Sequence, residues 1–361
     1  MKAAAVVILS LVSMVLLAPS ANPAGRPPCL VSNERTKVHA RSLQAVIDAA
    51  ASGDTLIIKG TCFGTSDTQK DLTLQGVSTK QFGVATLDGG GASDPVLTAA
   101  SYEGTSVVIN DLTITHGGGR GLFIQGSATL TRTIVSDNGA SGIDGDYSSV
   151  SVTDSTISGN GGSGIRGFRI VVRVSGSTVS GNERNGLGAD FMIVRDSTVS
   201  RNGGVGVGVG VDGSLLVTNS TISDNRGSGV GLFEASLSLE SSTITGNSTS
   251  GSGGGISGFH SSAYVADSTV ADNTAALDGG GINTEDVTLI NSTVSDNTAG
   301  GKGGGIHATY SVTLTDSTVS GNTASSSGGG IFLEPGGTAV LTGTNTFFNN
   351  IPEDCVGVPG C

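Results

Sequence analysis

Val312-Thr313-Leu314-Thr315, then Ser317-Thr318-Val319-Ser320, then, past Asn322, Gly330-Ile331-Phe332-Leu333 are the stretches on which the fold turns. Each run alternates apolar with polar residues, so one side of it faces inward and the other outward. None is long enough to be stable alone, and no helical period lies between them. The same pattern repeats along the chain. Asparagines recur at Asn138, Asn160, Asn182, Asn202, Asn225, Asn247, Asn273, Asn297, Asn322 and Asn350, at spacings of 20 to 28 residues. Three residues before each stands an apolar side chain, from Val135 to Phe347, and a Gly-rich turn follows each of the first nine. Three strands and three turns in roughly 22 residues make one coil of a solenoid. Stacked coils pair each strand in parallel with its equivalents above and below, with Val and Ile inside and Ser and Thr outside. Asp154, Asp196, Asn219, Asp267, Asn291 and Asp316 mark the corner between the second and third strands, where such side chains bond to nearby turns.

The composition agrees with this reading. The chain has 361 residues, 59 glycines, no tryptophan and a formal charge of −12. That balance argues against nucleic acid or an anionic membrane as the main partner, because phosphate binding needs a basic face. Met1-Lys2, the apolar run Ala3 to Leu17 and the small residues after it read as a secretory signal peptide over about 1–24, too short for a membrane span. No later stretch could cross a bilayer. The expected product is secreted, extracellular or periplasmic, and a monomer. Four cysteines in an exported chain suggest disulfides. Of the three possible pairings, Cys29–Cys62 and Cys355–Cys361 are favoured, because the repeats hold the two ends apart. Ser42 to Ala51 reads as a short amphipathic helix over the first coil, with Ser42 as N-cap. The organisation expected is cap and irregular coils over 25–115, regular repeats over 116–350 and a C-terminal disulfide loop over 351–361. About 13 coils at ~4.8 Å per stacked strand give a rod of about 60 Å.

Gly-Gly-Gly-Ile followed by an apolar-x-x-Asn resembles the repeats of chlamydial polymorphic outer-membrane proteins, and Phe347-Phe348-Asn349-Asn350 fits their Phe-x-x-Asn form. More broadly the chain resembles bacterial exported right-handed parallel β-helix proteins with a pectate-lyase-like fold. That group's N-terminal region looks like Ser42 to Ala50, Gly53-Asp54-Thr55-Leu56 and Gly60-Thr61-Cys62. The resemblance implies an all-β, single-stranded right-handed β-helix, and it does not choose among activities, because this fold hosts many. The polygalacturonase-like catalytic set is absent. Asn283-Thr284-Glu285-Asp286 is only a distant echo of it.

Two polar clusters remain. Asp144, Asp146, Arg166 and Asp190 occupy outward first-strand positions on consecutive coils, where stacking brings Asp144 to Arg166; as surface charges they would be a weak solvated ladder. Asp278, Asn283, Glu285, Lys302 and His307 lie on neighbouring later coils and include more of the residue types catalysis uses. Asp144, Arg166, Asp190, Glu285 and His307 are therefore the catalytic candidates; Asp278, Asn283, Glu285, Lys302 and His307 are the binding candidates. His116 and Arg120 read as turn surface. No metal site and no cofactor is expected. The leading expectation is a non-enzymatic, adhesion-type protein presenting an extended face to carbohydrate or another cell-surface ligand. The alternative is a carbohydrate-active enzyme: a polysaccharide lyase, hydrolase or epimerase. A third reading, ice binding, draws on the outward Thr/Ser ladder from Thr156/Ser158 to Thr318/Ser320, which Ala271 and Phe348 interrupt. Finally, the step from repeat Asn to the next strand is 5 residues through Val230 and 9 from Asn247 onward. Four added residues at one turn of four consecutive coils predict a lateral ridge on the C-terminal half, bordering Asn283, Glu285 and His307.

Overall fold

The structure, a computed structural model, describes residues 29–361; the expected signal peptide lies outside the described residues. The chain is an all-β parallel solenoid of about 13 coils with one short helix. The third strands form a 13-stranded sheet, and the first and second strands of each coil bend through a corner into a 22-stranded sheet. The register is that of like on like. Ile143, Ile165, Leu187, Val207, Val230, Ile256, Ile282, Ile306 and Ile331 stack in one inward column, all fully buried. With the inward columns of the other strands they form one core from Cys29 to Val358.

Two buried polar ladders lock this register. The repeat asparagines point inward at a turn. Asn160 Oδ1 accepts from both the backbone N–H and the side-chain Nδ2 of Asn138, at 3.2 and 3.0 Å. The same pair of bonds recurs down to Asn350, which serves Asn322. Each Nδ2 also donates to a strand carbonyl, as Asn225 does to Val199. A second ladder of serines, from Ser155 to Ser317, stands just after the second corner. Each hydroxyl accepts the backbone N–H of the equivalent residue one coil earlier, Thr133 for Ser155 and a serine thereafter, and donates to the carbonyl two residues before it. The corner residues Asp154, Asp196, Asn219, Asp267, Asn291 and Asp316 all adopt left-handed φ, between 47° and 51°, a conformation Asp and Asn tolerate better than most.

At the N-terminal end, α1 (Leu43–Ala49) buries Leu43, Val46 and Ile47 on the first coil, and the Ser42 hydroxyl accepts from the Ala45 N–H. Cys29 and Cys62 are bonded beside it. Asp54 takes hydrogen bonds from Arg35, Asn33 and the Ala51 N–H. These hold its carboxyl far below the usual carboxylate range, with the Arg35 bond the largest cause. At the other end Cys355 and Cys361 are bonded, and the last coil leaves Ala339, Leu341 and Phe347 only half-buried. Among the described residues no helix is long and apolar enough to cross a membrane.

The four lengthened turns are not loose loops. Ser248–Thr249, Thr274–Ala275, Thr298–Ala299 and Thr323–Ala324 pair in parallel as a third, four-stranded sheet. Ala275, Ala299 and Ala324 are buried beneath it. The ridge is therefore a packed fourth side of the coil. The outward Thr/Ser face is less open than a flat hydroxyl array would be, since Ser200, Ser223 and Ser320 are buried.

Candidate functional site

The outward side of the first strands carries a column that changes character along the rod. In register, coil after coil, it reads Asp144, Arg166, Gly188, Gly208, Gly231, Ser257, Asn283, His307 and Phe332. Charged residues stand at the N-terminal part, glycines in the middle and polar or aromatic residues at the C-terminal part.

Asp144 and Arg166 meet. The Asp144 carboxylate is buried to 7% exposure and accepts from Arg166 Nη2 at 3.0 Å and from Arg120 Nε at 2.7 Å. Arg120, read from sequence as turn surface, is thus the second clamp. A carboxylate gripped by two guanidiniums is an anchor whose oxygens are already engaged, so Asp144 serves to hold Arg120 and Arg166 in place. Asp190 is not part of this group; it accepts the Ile170 N–H and braces the corner.

The later cluster converges on one point. His307 Nδ1 lies 2.8 Å from Asn283 Oδ1, and His307 Nε2 lies 3.2 Å from Glu334 Oε1. Lys302 Nζ donates to the same Glu334 oxygen at 3.0 Å. The Phe332 ring stacks on the imidazole at 5.7 Å between centroids, with the Lys302 ammonium 4.3 Å from its centre. Only 13% of the His307 side chain is exposed, against 38% for Lys302 and 32% for Glu334. The hydrogen bond from Lys302, helped by that from His307 and opposed by burial, holds the Glu334 carboxyl below the ordinary glutamate value. Three successive first strands and one ridge turn supply these groups. Lys302 comes from the lengthened turn, where Asp278 accepts its backbone N–H at 2.7 Å.

Two sequence candidates play other parts. Glu285 turns its carboxylate into the corner of the preceding coil and accepts the His260 and Ser261 N–H groups at 2.8 and 2.7 Å; it replaces missing backbone pairing there. Asp278 positions Lys302 through the backbone. Glu334 was missed. Stepping from His307 to its stacking partner Phe332 and two residues further along that strand finds it. Among the described residues no group of three or more His, Cys, Asp or Glu side chains could hold a metal ion.

The right-handed β-helix region model matches residues 98–236 and 188–351, which together span most of the chain. No curated protein matches in sequence. Among solved structures, the A-module of mannuronan C-5 epimerase AlgE4 from Azotobacter vinelandii superposes with a TM-score of 0.52 at 17% identity, over 88% of this chain and 93% of that one. The A-module of AlgE6 from the same organism gives 0.50 at 18% identity, over 88% and 95%. These likenesses concern the fold. With a like-on-like parallel register, inward apolar columns and a family match across most of its length, the chain belongs to the right-handed β-helix family.

Proposed function

We propose that the protein is a carbohydrate-active enzyme that acts on an extended polysaccharide laid along the outer side of its first strands, with the reacting centre at His307. The observation that carries this is the convergence of Asn283, Lys302, His307 and Glu334 at one half-buried spot on an otherwise repetitive rod. Display of a surface to a ligand requires no such convergence, so the adhesion-type reading gives way to the enzymatic alternative. The activity named for the two neighbours, mannuronan C-5 epimerisation, points in the same direction.

The residue types choose among reactions. Glycoside hydrolysis ordinarily uses two carboxyl groups flanking the bond, whereas this centre offers one carboxylate, one imidazole and one ammonium. That set suits removal of a proton from the sugar carbon beside a carboxyl group. His307 takes the proton, and the electron pair of the broken C–H bond moves into the sugar carboxyl. Lys302 faces the charge that develops there. The pair then returns either to a proton delivered on the other face, which is epimerisation, or to expulsion of the neighbouring glycosidic oxygen, which is elimination. Asn283 fixes the imidazole by accepting from Nδ1; Nε2, which rests bonded to Glu334, yields its proton to that carboxylate as the sugar enters and is then the free base. Arg120, Arg166 and Lys302 on this side give an acidic polymer local cations on a negatively charged protein. Two disulfides fit a protein working outside the cytoplasm.

The test is incubation with alginate and with polygalacturonate in heavy water. Solvent deuterium should enter the sugar ring, or unsaturated ends should appear, and His307→Ala should reduce the rate by about 10²-fold or more. Reducing ends released from a neutral glycan, with no exchange on either uronate, would sink the reading.

A further inference from the structure

Beside the first-strand column runs the corner between first and second strands, and among the described residues most of the exposed aromatic side chains are gathered there. Of 10 phenylalanines and 4 tyrosines, Tyr147, Phe168, Phe191, Phe233, Phe259 and Tyr310 stand at this corner on successive or near-successive coils, each between 47% and 65% exposed. Tyr147 meets Phe168 edge-on at 5.5 Å, and Phe233 stacks on Phe259 at 5.3 Å. Two depressions of about 510 Å³ each lie end to end along the rail and share Asp212. One is walled by Phe168 and Phe191, the other by His260, Glu285 and Tyr310. Tyr310 is three residues from His307 on the same strand, so the rail ends on the coil that carries the reacting centre.

The backbone gives a second, independent sign. At the corners flanking the third strand, left-handed residues are mostly Asp, Asn or Gly, the types that adopt positive φ at least cost. At the rail corner the left-handed positions hold Tyr147, Arg169, Asp212, Glu234 and His260, with φ between 50° and 56°. Three of these five, Tyr147, Arg169 and Glu234, are types that resist that conformation. Folding alone would favour glycine at such a corner; large side chains held there against local preference are a mark of use.

We infer that this rail is the polymer-binding platform, on which successive pyranose rings of the polysaccharide pack against the exposed sides of the aromatic rings. The inference rests on the polysaccharide reading above and adds where the chain away from the reacting sugar is held. A pyranose presents an apolar C–H face with polar groups at its rim. The rail offers flat rings with Arg169, Asp212, Glu234 and His260 interleaved to meet that rim. One coil rises about 4.8 Å, close to the length of one sugar in an extended chain, so stacked coils and a parallel polymer stay in step. From the coil of Tyr147 to that of Tyr310 is seven steps, about 34 Å. The enzyme should therefore prefer long chains.

The experiment compares the full chain with a rail variant, Phe168→Ala/Phe191→Ala/Phe233→Ala/Phe259→Ala, and with His307→Ala. Affinity is read by native electrophoresis through gels containing alginate or polygalacturonate, and activity on the polymer and on its trisaccharide. All four rings are half exposed, so circular dichroism should show the rail variant folded; Phe233→Tyr/Phe259→Tyr, which keeps two rings, serves as a second variant. The expected result is that the rail variant loses 10-fold or more in polymer retardation and in KM for polymer. It should turn over trisaccharide like the parent, the tyrosine variant should bind, and His307→Ala should bind polymer normally without reacting. Undiminished polymer binding by the rail variant would overturn the platform while leaving His307 in place. Loss of turnover on trisaccharide as well would overturn it, since that is damage to the centre. Rail-dependent self-association of the parent without retardation by either polymer would overturn it in favour of a second copy as occupant.

Discussion

The half of the rod with short turns and the half with long turns share one core and one pair of polar ladders, yet present different chemistry. Through Val230 the step from repeat Asn to next strand is five residues, and the first-strand column ends in Gly188, Gly208 and Gly231. From Asn247 the step is nine, the added residues fold as a small sheet of their own, and its turn delivers Lys302 to Glu334 and His307. A solenoid can thus vary one turn to build a local site while its register stays untouched, because the inward columns and ladders carry the register. Loops absorb added length at little cost, whereas a one-residue slip in a strand would turn every side chain over.

If the core is common to both halves, burying a charge should be equally ruinous in each. Val199→Asp and Val294→Asp should each cost upward of about 4 kcal/mol, while Thr293→Asp, facing outward, should change little. Thermal denaturation checks this, and equal melting of Val294→Asp and Thr293→Asp would break the inside/outside assignment. Next in size, Asn225→Ala and Asn297→Ala should be similar to one another, at about 3 kcal/mol. Each strips partners from at least two buried groups, at about 1–3 kcal/mol apiece. Urea midpoints that differ widely would mean the ladder is not shared in the way the geometry implies. Cutting all four long turns back to five residues should lower stability modestly and leave the spectrum of a β-solenoid. It should abolish turnover, because Lys302 and its Asp278 support leave together. Retained activity would separate the ridge from the site. The smallest effect is electrostatic. The Glu334 carboxyl is depressed when folded, so its stabilising contribution is complete above the ordinary glutamate pKa of about 4.3 and fades as pH falls through the lowered value. Glu334→Gln should remove that acid sensitivity, by less than about 1 kcal/mol because the pair is part-exposed. An unchanged difference between pH 7 and pH 3 would refute it.

The repeat made most of the fold legible. Alternation gave the strands, the Asn spacing gave the coils, and the change from five to nine residues gave the ridge and its side of the rod. The Asp/Asn corners and the N-terminal helix could be read because each rests on a local rule. What the asparagines do could not be read so directly, since periodicity places a residue without saying whether it points to water or to its own copy one coil away. The site was half legible. His307, Lys302, Asn283 and Asp278 belong to one neighbourhood, but Glu285 braces a corner and Glu334 was overlooked. Outward residues two positions apart on adjacent coils have no signature in one dimension. The aromatic rail was hidden for the same reason: its members are scattered over more than 160 residues of sequence and only the winding aligns them.

The asparagine ladder also sets how the molecule ages. Asn138, Asn160 and Asn202 each precede a glycine, the pairing in which the following backbone nitrogen most readily attacks the side-chain amide and converts asparagine to aspartate. Here the amide is held by its neighbours in the ladder. The N–H groups of Gly139, Gly161 and Gly203 are bonded to Gly117, Asn138 and Asn182, so that nitrogen is turned away from attack. Damage at these three positions therefore requires the coils to part first. Slow accumulation of aspartate there would be a chemical clock, recording over weeks how often the rod opens and at which coil.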